Sequence, residues 1–174
     1  MVKIIDGNIF DSDANFIVNY CNNMGVIDSE MSYQVSDAFP HVEKEYMRYI
    51  KYYGNNNSKL SGSVQYVPTE IWAMNMVDTI KNNSVEAYDT NYQYIANVFC
   101  QEVSDYKVHT DLNAMKKAFT DIRDKASKIG ATVAIPYETE GYRNDTSWNN
   151  LYNIVKKVFE QSDVNAEIWR YDLM

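Results

Sequence analysis

Short apolar runs alternate along this chain with longer segments in which apolar residues recur every three or four positions. The runs are typical of buried β-strands, and the wider spacing is typical of helices with one buried face. The predicted strands are Val2 to Ile5, Phe16 to Tyr20, Ser63 to Pro68, Ile71 to Val77, Tyr94 to Phe99, Thr132 to Pro136 and Ala166 to Tyr171. A short helix also fits residues 71–77, although a strand is favoured there.

Four segments between these strands have both the periodicity and the end signals of helices. Pro40 suits the first turn of a helix, where its missing N–H has no intrahelical partner in any case. Gly130 is typical of the residue that follows a helix, because glycine readily adopts a left-handed conformation. The predicted helices begin at Ser29, at Pro40, at Thr110 or Asp111, and at Trp148.

Strands that alternate with helices predict an α/β fold with a parallel or mixed sheet. A length of 174 residues suffices for one domain with a substantial core, so residues 1–174 are expected to form a single domain. Residues 105–110 are predicted as a loop. Residues 78–91 are polar and irregular, which fits either an inserted loop that covers a crevice or a solvated surface segment.

The chain carries a formal net charge of −8, which disfavours nucleic acid as a partner because non-specific binding needs a basic face. No apolar segment is long enough for a membrane span, so a cytoplasmic protein is expected. Cys21 and Cys100 each end an apolar run, which favours buried, reduced thiols over a disulfide or a reactive thiol. Neither has the spacing of a metal site, no cofactor is expected, and the pattern indicates no particular oligomeric state.

Residues 16–46 join a predicted strand to a helix through the polar, bendable residues Asn19, Asn22, Asn23 and Gly25. In α/β sheets, ligands bind beyond the carboxyl ends of the strands, where loop amides and a helix N-terminus meet. A second strand-to-helix loop, residues 137–148, is expected at the same edge of the sheet. The two loops therefore predict a shared crevice for a small ligand.

The first stretch contains, in order, Ile17, Val18, Asn19, Asn22, Gly25, Val26, Ser29, Gln34, Val35, Pro40 and Tyr46. This order resembles the first loop of the macro domain, the ADP-ribose-binding module, in its small bacterial and phage members grouped with ADP-ribose-1''-phosphate phosphatases. Further likeness lies in Gly7-Asn8-Ile9, in the strand around Ile95 with Gln101, in Ala134-Ile135-Pro136, and in the closing run from Glu167 to Asp172. The resemblance implies a three-layer α/β/α fold with a central mixed sheet.

The resemblance also implies a small nucleotide-like ligand. Asn8 stands where the family has an Asp that accepts from the adenine amino group, and Asn22 stands at a ribose-contacting position. Each has an alternative role, Asn8 as a turn residue and Asn22 as a partner for loop backbone groups. The implied ligand-binding residues are Asn8, Asn22, Gly25, Val26, Ser29, Gly141, Tyr142, Arg143 and Asn144.

Both loops depart from the glycine-rich pattern by which the family brings backbone N–H groups close to a diphosphate. Asp28 and Glu30 stand at glycine positions of the first loop, and Glu140 and Tyr142 replace glycines of the second. Carboxylates that face the crevice repel a diphosphate, whereas carboxylates that face water are screened. Both directions are compatible with the sequence.

The candidate catalytic residues are Asp145 and Asn22. In hydrolytic relatives an Asp of the second loop takes part in the reaction, and here Asn144 aligns near that position with Asp145 beside it. Asp145 either acts as a general base or caps the helix that follows. Lys107 and His109 are further candidates, with ordinary surface roles as the alternative.

Three functions are compatible with these features. The first is a diverged macro domain that binds an ADP-ribose-like or other nucleotide-derived molecule without turnover, as a phage protein that sequesters a defence signal would. The second is a hydrolase of ADP-ribosyl or ADP-ribose-1''-phosphate groups. The third is a scaffold that binds a protein partner and no nucleotide.

Overall fold

A computed structural model describes residues 1–54, 57–81, 85–137 and 148–171 of the chain. Its strands are β1 (Val2–Asp6), β2 (Phe16–Asn22), β3 (Val64–Pro68), β4 (Tyr94–Ser104), β5 (Lys107–Thr110), β6 (Val133–Pro136) and β7 (Ala166–Arg170). Its helices are α1 (Glu30–Ala38), α2 (Pro40–Tyr53), α3 (Asn57–Leu60), α4 (Leu112–Ile129) and α5 (Trp148–Phe159). Short 3-10 helices span Ile9–Asp11, Ile71–Met76 and Val85–Ala87.

All the strands belong to one mixed sheet. β1, β7, β6, β2, β4 and β3 lie side by side in that order, and β5 pairs with the end of β4. β3 and β5 run antiparallel to β4, whereas the other neighbouring pairs are parallel. The parallel strands therefore share a carboxyl edge, from which the predicted ligand loops extend.

Helices cover both faces of the sheet. Every residue of β2 is buried, and its successive side chains point to opposite faces. Phe16 and Val18 pack in a core that includes residues of α4 and α5, and Ile17 packs with residues of α1 and α2. The predicted three-layer α/β/α architecture is confirmed. Among the described residues, no helix combines the length and apolar character needed to cross a membrane.

The predicted helix ends agree with the structure where a local signal marks them. Asp111 is the residue that caps α4, and its side chain accepts a hydrogen bond from the N–H of Ala114 at 3.0 Å. Gly130 ends the same helix with a φ of 71°, and its N–H donates to the carbonyl of Ala126. These ends are set by residues close in sequence, which is why the sequence alone predicts them.

Two predicted elements are wrong. Residues 71–77 were favoured as a strand over a short helix, but the short helix is correct: Ile71–Met76 forms a 3-10 helix in which Ile71 and Trp72 are exposed, so their apolar character does not reflect burial in a sheet. Residues 105–110 were expected as a loop, but Lys107–Thr110 pairs back on β4. The hairpin turns at Asp105 and Tyr106, which both have positive φ, as a type I′ turn between strands requires.

The described residues of the segment from 78 to 91 contact both helical layers. Ile80 packs against Tyr53 on the α2 side, and Tyr88 is buried with Phe16 and Tyr66 on the α4 side. These two contacts lie on opposite faces of the sheet.

Candidate functional site

The carboxyl edge of the parallel strands, here called the crevice edge, brings the predicted ligand residues to one side of the sheet. β2 ends at Asn22 and leads through residues 23–29, the first loop, into α1. β6 ends at Pro136, and the second loop leads from there to α5. β1 ends beside Asn8 at the same edge. Ligands of open α/β sheets bind at this kind of edge.

Asn22 organises the first loop from within. It is 1% exposed, and its Oδ1 accepts hydrogen bonds from the backbone N–H groups of Met24 at 3.0 Å and Val26 at 3.2 Å. Its Nδ2 donates to the carbonyl of Val26 at 2.8 Å. The side chain thus fills the loop-satisfying role, and its direct contact with a ligand or a reacting group stays a prediction.

Tyr46 of α2 holds Asn22 in place through its hydroxyl group. Its hydroxyl is shared between the backbone oxygen of Asn22 at 2.9 Å and the side-chain Oδ1 at 3.0 Å. Burial raises the pKa of Tyr46 well above its usual range, and smaller contributions in the same direction come from the Cys21 thiol and the Asp28 carboxylate. The hydroxyl therefore remains a donor at any physiological pH.

Gly25 and Asn23 complete the framework of the loop. Gly25 has a φ of 71°, and a Cβ at this position would lie 3.0 Å from the Sδ atom of Met47, so glycine is favoured on both counts. Asn23 connects the loop to β4: its Oδ1 accepts from the N–H of Val103 at 3.1 Å, and its own N–H donates to the carbonyl of Gln101 at 3.1 Å.

Sequence reasoning assigned no function to Asn23 or to the hydroxyl of Tyr46. The pair of Asn residues directly after a strand was the available signal for Asn23, since asparagine often bonds nearby backbone groups. Tyr46 lies 24 positions from Asn22 in the chain, and no local pattern indicates that the two side chains meet.

Ser29 caps α1 at the crevice edge. Its Oγ accepts from the N–H of Ser32 at 3.1 Å and donates to the Oγ of Ser32 at 2.9 Å. The hydroxyl hydrogen of Ser29 is thus directed into the protein, as the N–H groups of Met24 and Val26 are directed to Asn22. Three hydrogen-bond donors of the first loop are therefore bonded within the protein.

The two carboxylates of the first loop region differ in their surroundings. Glu30 is exposed, accepts from Nε2 of Gln34 at 3.4 Å and lines a shallow depression on the outer face of α1, of about 650 Å³, with Tyr33. Asp28 is half-buried and close enough to Tyr46 to raise the pKa of its hydroxyl. Of these two carboxylates, Asp28 is therefore expected to have the larger effect on the electrostatic potential of the loop.

Asn8 has a structural role at the end of β1. Its Oδ1 accepts from the N–H of Phe10 at 3.0 Å and so caps the 3-10 helix Ile9–Asp11. The backbone beside it is fixed as well, because the N–H of Gly7 donates to the carbonyl of Arg170 at 2.9 Å. This is the turn role foreseen as the alternative, and an adenine contact by Asn8 stays a prediction.

The second loop is described only at its ends. Tyr137 and Trp148 are in ring contact, with centroids 3.9 Å apart. Lys107 and His109, the further catalytic candidates, lie on β5, which pairs with the part of β4 at the carboxyl end of β2. The predicted site residues Gly141, Tyr142, Arg143, Asn144 and Asp145 lie outside the described residues.

The sequence matches no protein-family profile and no curated protein. Solved structures nevertheless resemble it over nearly its whole length. A macrodomain protein from Streptomyces coelicolor is 17% identical with a TM-score of 0.72, and the match covers 99% of this chain and 100% of that one. The macrodomain of Thermus aquaticus DarG is 14% identical with a TM-score of 0.69, and the match covers 98% of each chain.

Thermosipho africanus DarTG, solved in complex with ADP-ribose, is 15% identical with a TM-score of 0.66, and the match covers 96% of this chain and 40% of that one. Likeness at such identities concerns the arrangement of strands and helices. The shared arrangement is the mixed sheet between two helical layers. The protein therefore has the macrodomain fold.

Proposed function

We propose that this protein binds a small nucleotide-derived molecule of the ADP-ribose type at the crevice edge and holds it without turnover. The observation that carries the proposal is the construction of the first loop at the end of β2. Asn22 and Tyr46 fix its backbone, and Gly25 provides its left-handed turn. A loop that is ordered before binding loses less conformational entropy when a ligand arrives.

The chemistry of the first loop favours ligand groups that donate hydrogen bonds. The N–H groups of Met24 and Val26 and the hydroxyl hydrogen of Ser29 are bonded within the protein. The second lone pair of the Ser29 hydroxyl is an acceptor at this edge. A sugar hydroxyl or an amino group fits this acceptor better than a phosphate oxygen does.

Binding without turnover removes a signal molecule from solution. The proposal therefore includes the role of a phage protein that sequesters a nucleotide defence signal. The ADP-ribose bound in the DarTG structure supports the ligand class, since that protein shares the fold. The altered first loop supports a ligand for which the diphosphate is not the main attachment.

Calorimetric titration with ADP-ribose, NAD, cyclic ADP-ribose and cyclic dinucleotides tests the proposal. We expect one of these molecules to bind with a stoichiometry of one and to remain intact after prolonged incubation with the protein. Absence of binding by all of them would contradict the proposal. Release of product from ADP-ribosyl substrates, lost in Asp145→Ala, would establish a hydrolase, and a stable protein complex without nucleotide binding would establish a scaffold.

Removing the charge of Asp28 is expected to tighten binding of ADP-ribose. Two unit charges about 8 Å apart interact by roughly 2 kcal/mol at an effective dielectric constant near 20, and salt reduces this further. Asp28→Asn should therefore lower the Kd for ADP-ribose about tenfold, which corresponds to about 1.4 kcal/mol. The same titration at low and high salt should show that the gain shrinks as salt is added.

Glu30→Gln is the matched control, because Glu30 lies two residues away and is exposed on the outer face of α1. Screening by water and salt leaves its charge with little effect on the crevice edge. Equal effects of the two substitutions on the Kd would show that net charge alone is responsible and would remove Asp28 from the site.

A further inference from the structure

A row of buried polar side chains runs beneath α1 and α2 across three neighbouring strands. Its members are Ser32 of α1, Asn19 of β2, Asn97 of β4 and Gln65 of β3, which are 5%, 4%, 0% and 1% exposed. Asn97 stands in the middle, paired in register with Asn19 on one side and with Gln65 on the other. We call these four residues the polar row.

Each member of the polar row donates a hydrogen bond to the next. Ser32 Oγ donates to Asn19 Oδ1 at 3.3 Å, and Asn19 Nδ2 donates to Asn97 Oδ1 at 3.0 Å. Asn97 Nδ2 donates to Gln65 Oε1 at 3.0 Å, and Gln65 Nε2 donates to the backbone oxygen of Glu45 in α2 at 2.8 Å. Because Ser29 donates to Ser32, the row joins the cap of α1 to the middle of α2.

The burial of the polar row in the core costs free energy. It separates two apolar clusters on the same face of the sheet, one containing Ile17 and Ile95 and the other containing Cys21 and Phe99. Apolar side chains in place of the amides would bury without any need for partners. Apolar packing has no direction, whereas hydrogen bonds between buried groups fix distances and angles. The amides therefore contribute precision of placement rather than stability.

We infer that Asn97 is a positioning residue for the ligand site. Three hydrogen bonds separate it from Ser29, and through Asn19 and Ser32 it fixes the first turn of α1 at the crevice edge. The effect on ligand affinity rests on the proposed function, whereas the effect on α1 does not. Because linked hydrogen bonds polarise and orient one another, a break at any member affects the whole row.

Amide hydrogen exchange in the ligand-free protein tests the inference directly. The reporters are the N–H groups of Ser32 and Tyr33, which donate to Oγ and the backbone oxygen of Ser29. We expect Asn97→Leu and Ser32→Ala each to accelerate their exchange about tenfold. The double variant should exchange no faster than either single variant, because members of one network are not additive.

Val98→Ala is the matched control, since Val98 follows Asn97 in β4 and is buried in the core on the other face of the sheet. It should lower the thermal midpoint and leave exchange at Ser32 and Tyr33 unchanged. If Asn97→Leu does not fold, Gln65→Met takes its place in the double-variant cycle, because methionine is close to glutamine in volume.

Ligand titration gives the second measurement. Asn97→Leu should weaken binding of the ligand found in the titration panel about tenfold, and Val98→Ala should leave it unchanged. Additive effects of Asn97→Leu and Ser32→Ala on the exchange rates of Ser32 and Tyr33 would overturn the inference. So would an equally large effect of Val98→Ala on these rates. Faster exchange in Asn97→Leu with unchanged ligand affinity would overturn it as well. If the panel contains no ligand, the proposed function fails, and exchange alone decides the inference about α1.

Discussion

The Asn22→Leu variant is expected to lose ligand binding entirely and to lose about 1 to 3 kcal/mol of unfolding free energy. The substitution removes the acceptor of the Met24 and Val26 N–H groups and a partner of the Tyr46 hydroxyl. Met24 and Val26 are exposed, so water replaces part of what is lost, and the total cost is about that of one unpaired buried group, roughly 1 to 3 kcal/mol. Urea unfolding measures the loss of stability, and calorimetry measures the loss of binding.

A milder pair of substitutions separates the loop from general stability. Tyr46 and Tyr49 are both buried tyrosines of α2, but the hydroxyl of Tyr49 donates to Ser63 Oγ at 2.9 Å, away from the first loop. Tyr46→Phe and Tyr49→Phe should each cost about 1 kcal/mol, the usual contribution of one hydrogen bond. Only Tyr46→Phe should weaken ligand binding. Equal binding by both variants, or wild-type affinity in Asn22→Leu, would contradict the assigned role of the loop.

Local signals explain why the layers of this fold and several helix ends could be predicted from sequence. The apolar runs around Ile17 and Ile95 belong to strands covered on both faces, and Asp111 and Gly130 bond groups within four residues of themselves. Residues 71–77 show the limit of such signals, because β-prone apolar residues also occur in an exposed 3-10 turn. The residues next to Ile71 in the sequence do not determine whether its side chain is exposed.

The features of the site that the sequence did not predict depend on contacts between residues that are far apart in the chain. Asn22 was recognised, with two open roles, but its partner Tyr46 comes from another layer of the fold. The polar row is likewise assembled from three strands and a helix, and Asn97 by itself is only a polar residue within an apolar run. Its role follows from strand order and register, which single-sequence patterns do not fix.

The orientations of the Asp28 and Glu30 side chains could not be predicted from the sequence either, although the two residues are close in the chain. The residues are two positions apart, yet one is half-buried beside the loop and the other is exposed. The difference arises because Glu30 is the first residue of α1, where helix geometry directs its side chain to the outer face beside Gln34. Predicting it requires the rotation of the helix about its axis, which depends on packing against the sheet.

Alkaline pH is expected to unfold this protein between about pH 10 and pH 12. Burial is the main cause that raises the pKa of Tyr49 to about 12, and three further tyrosines have their pKa values raised most strongly by the same cause. These are Tyr46, Tyr66 and Tyr88. Tyr66 also donates to a carboxylate oxygen of Asp121 at 2.6 Å, which opposes its ionisation.

The direction of the effect follows from the protons bound in each state. An unfolded chain loses its phenol protons near pH 10, whereas the folded protein keeps those of the buried tyrosines to higher pH. Their contribution to stability is complete below pH 10 and is lost as pH rises toward the folded pKa. Each such tyrosine costs about 1.4 kcal/mol per pH unit in this window, so four of them remove roughly 5 kcal/mol per unit. A typical domain has about 5 to 15 kcal/mol in total.

Urea unfolding at a series of pH values from 8 to about 11.5 measures this dependence. Tyr49→Phe should reduce the slope above pH 10 by about one proton, or about 1.4 kcal/mol per pH unit. Tyr106→Phe is the control, because Tyr106 is fully exposed in the β4–β5 turn, and its loss should leave the slope unchanged. A folded protein with undiminished stability at pH 11.5 would show that these hydroxyls ionise without opening the core. That outcome would contradict the closed packing of α2 and α4 on the sheet from which the prediction follows.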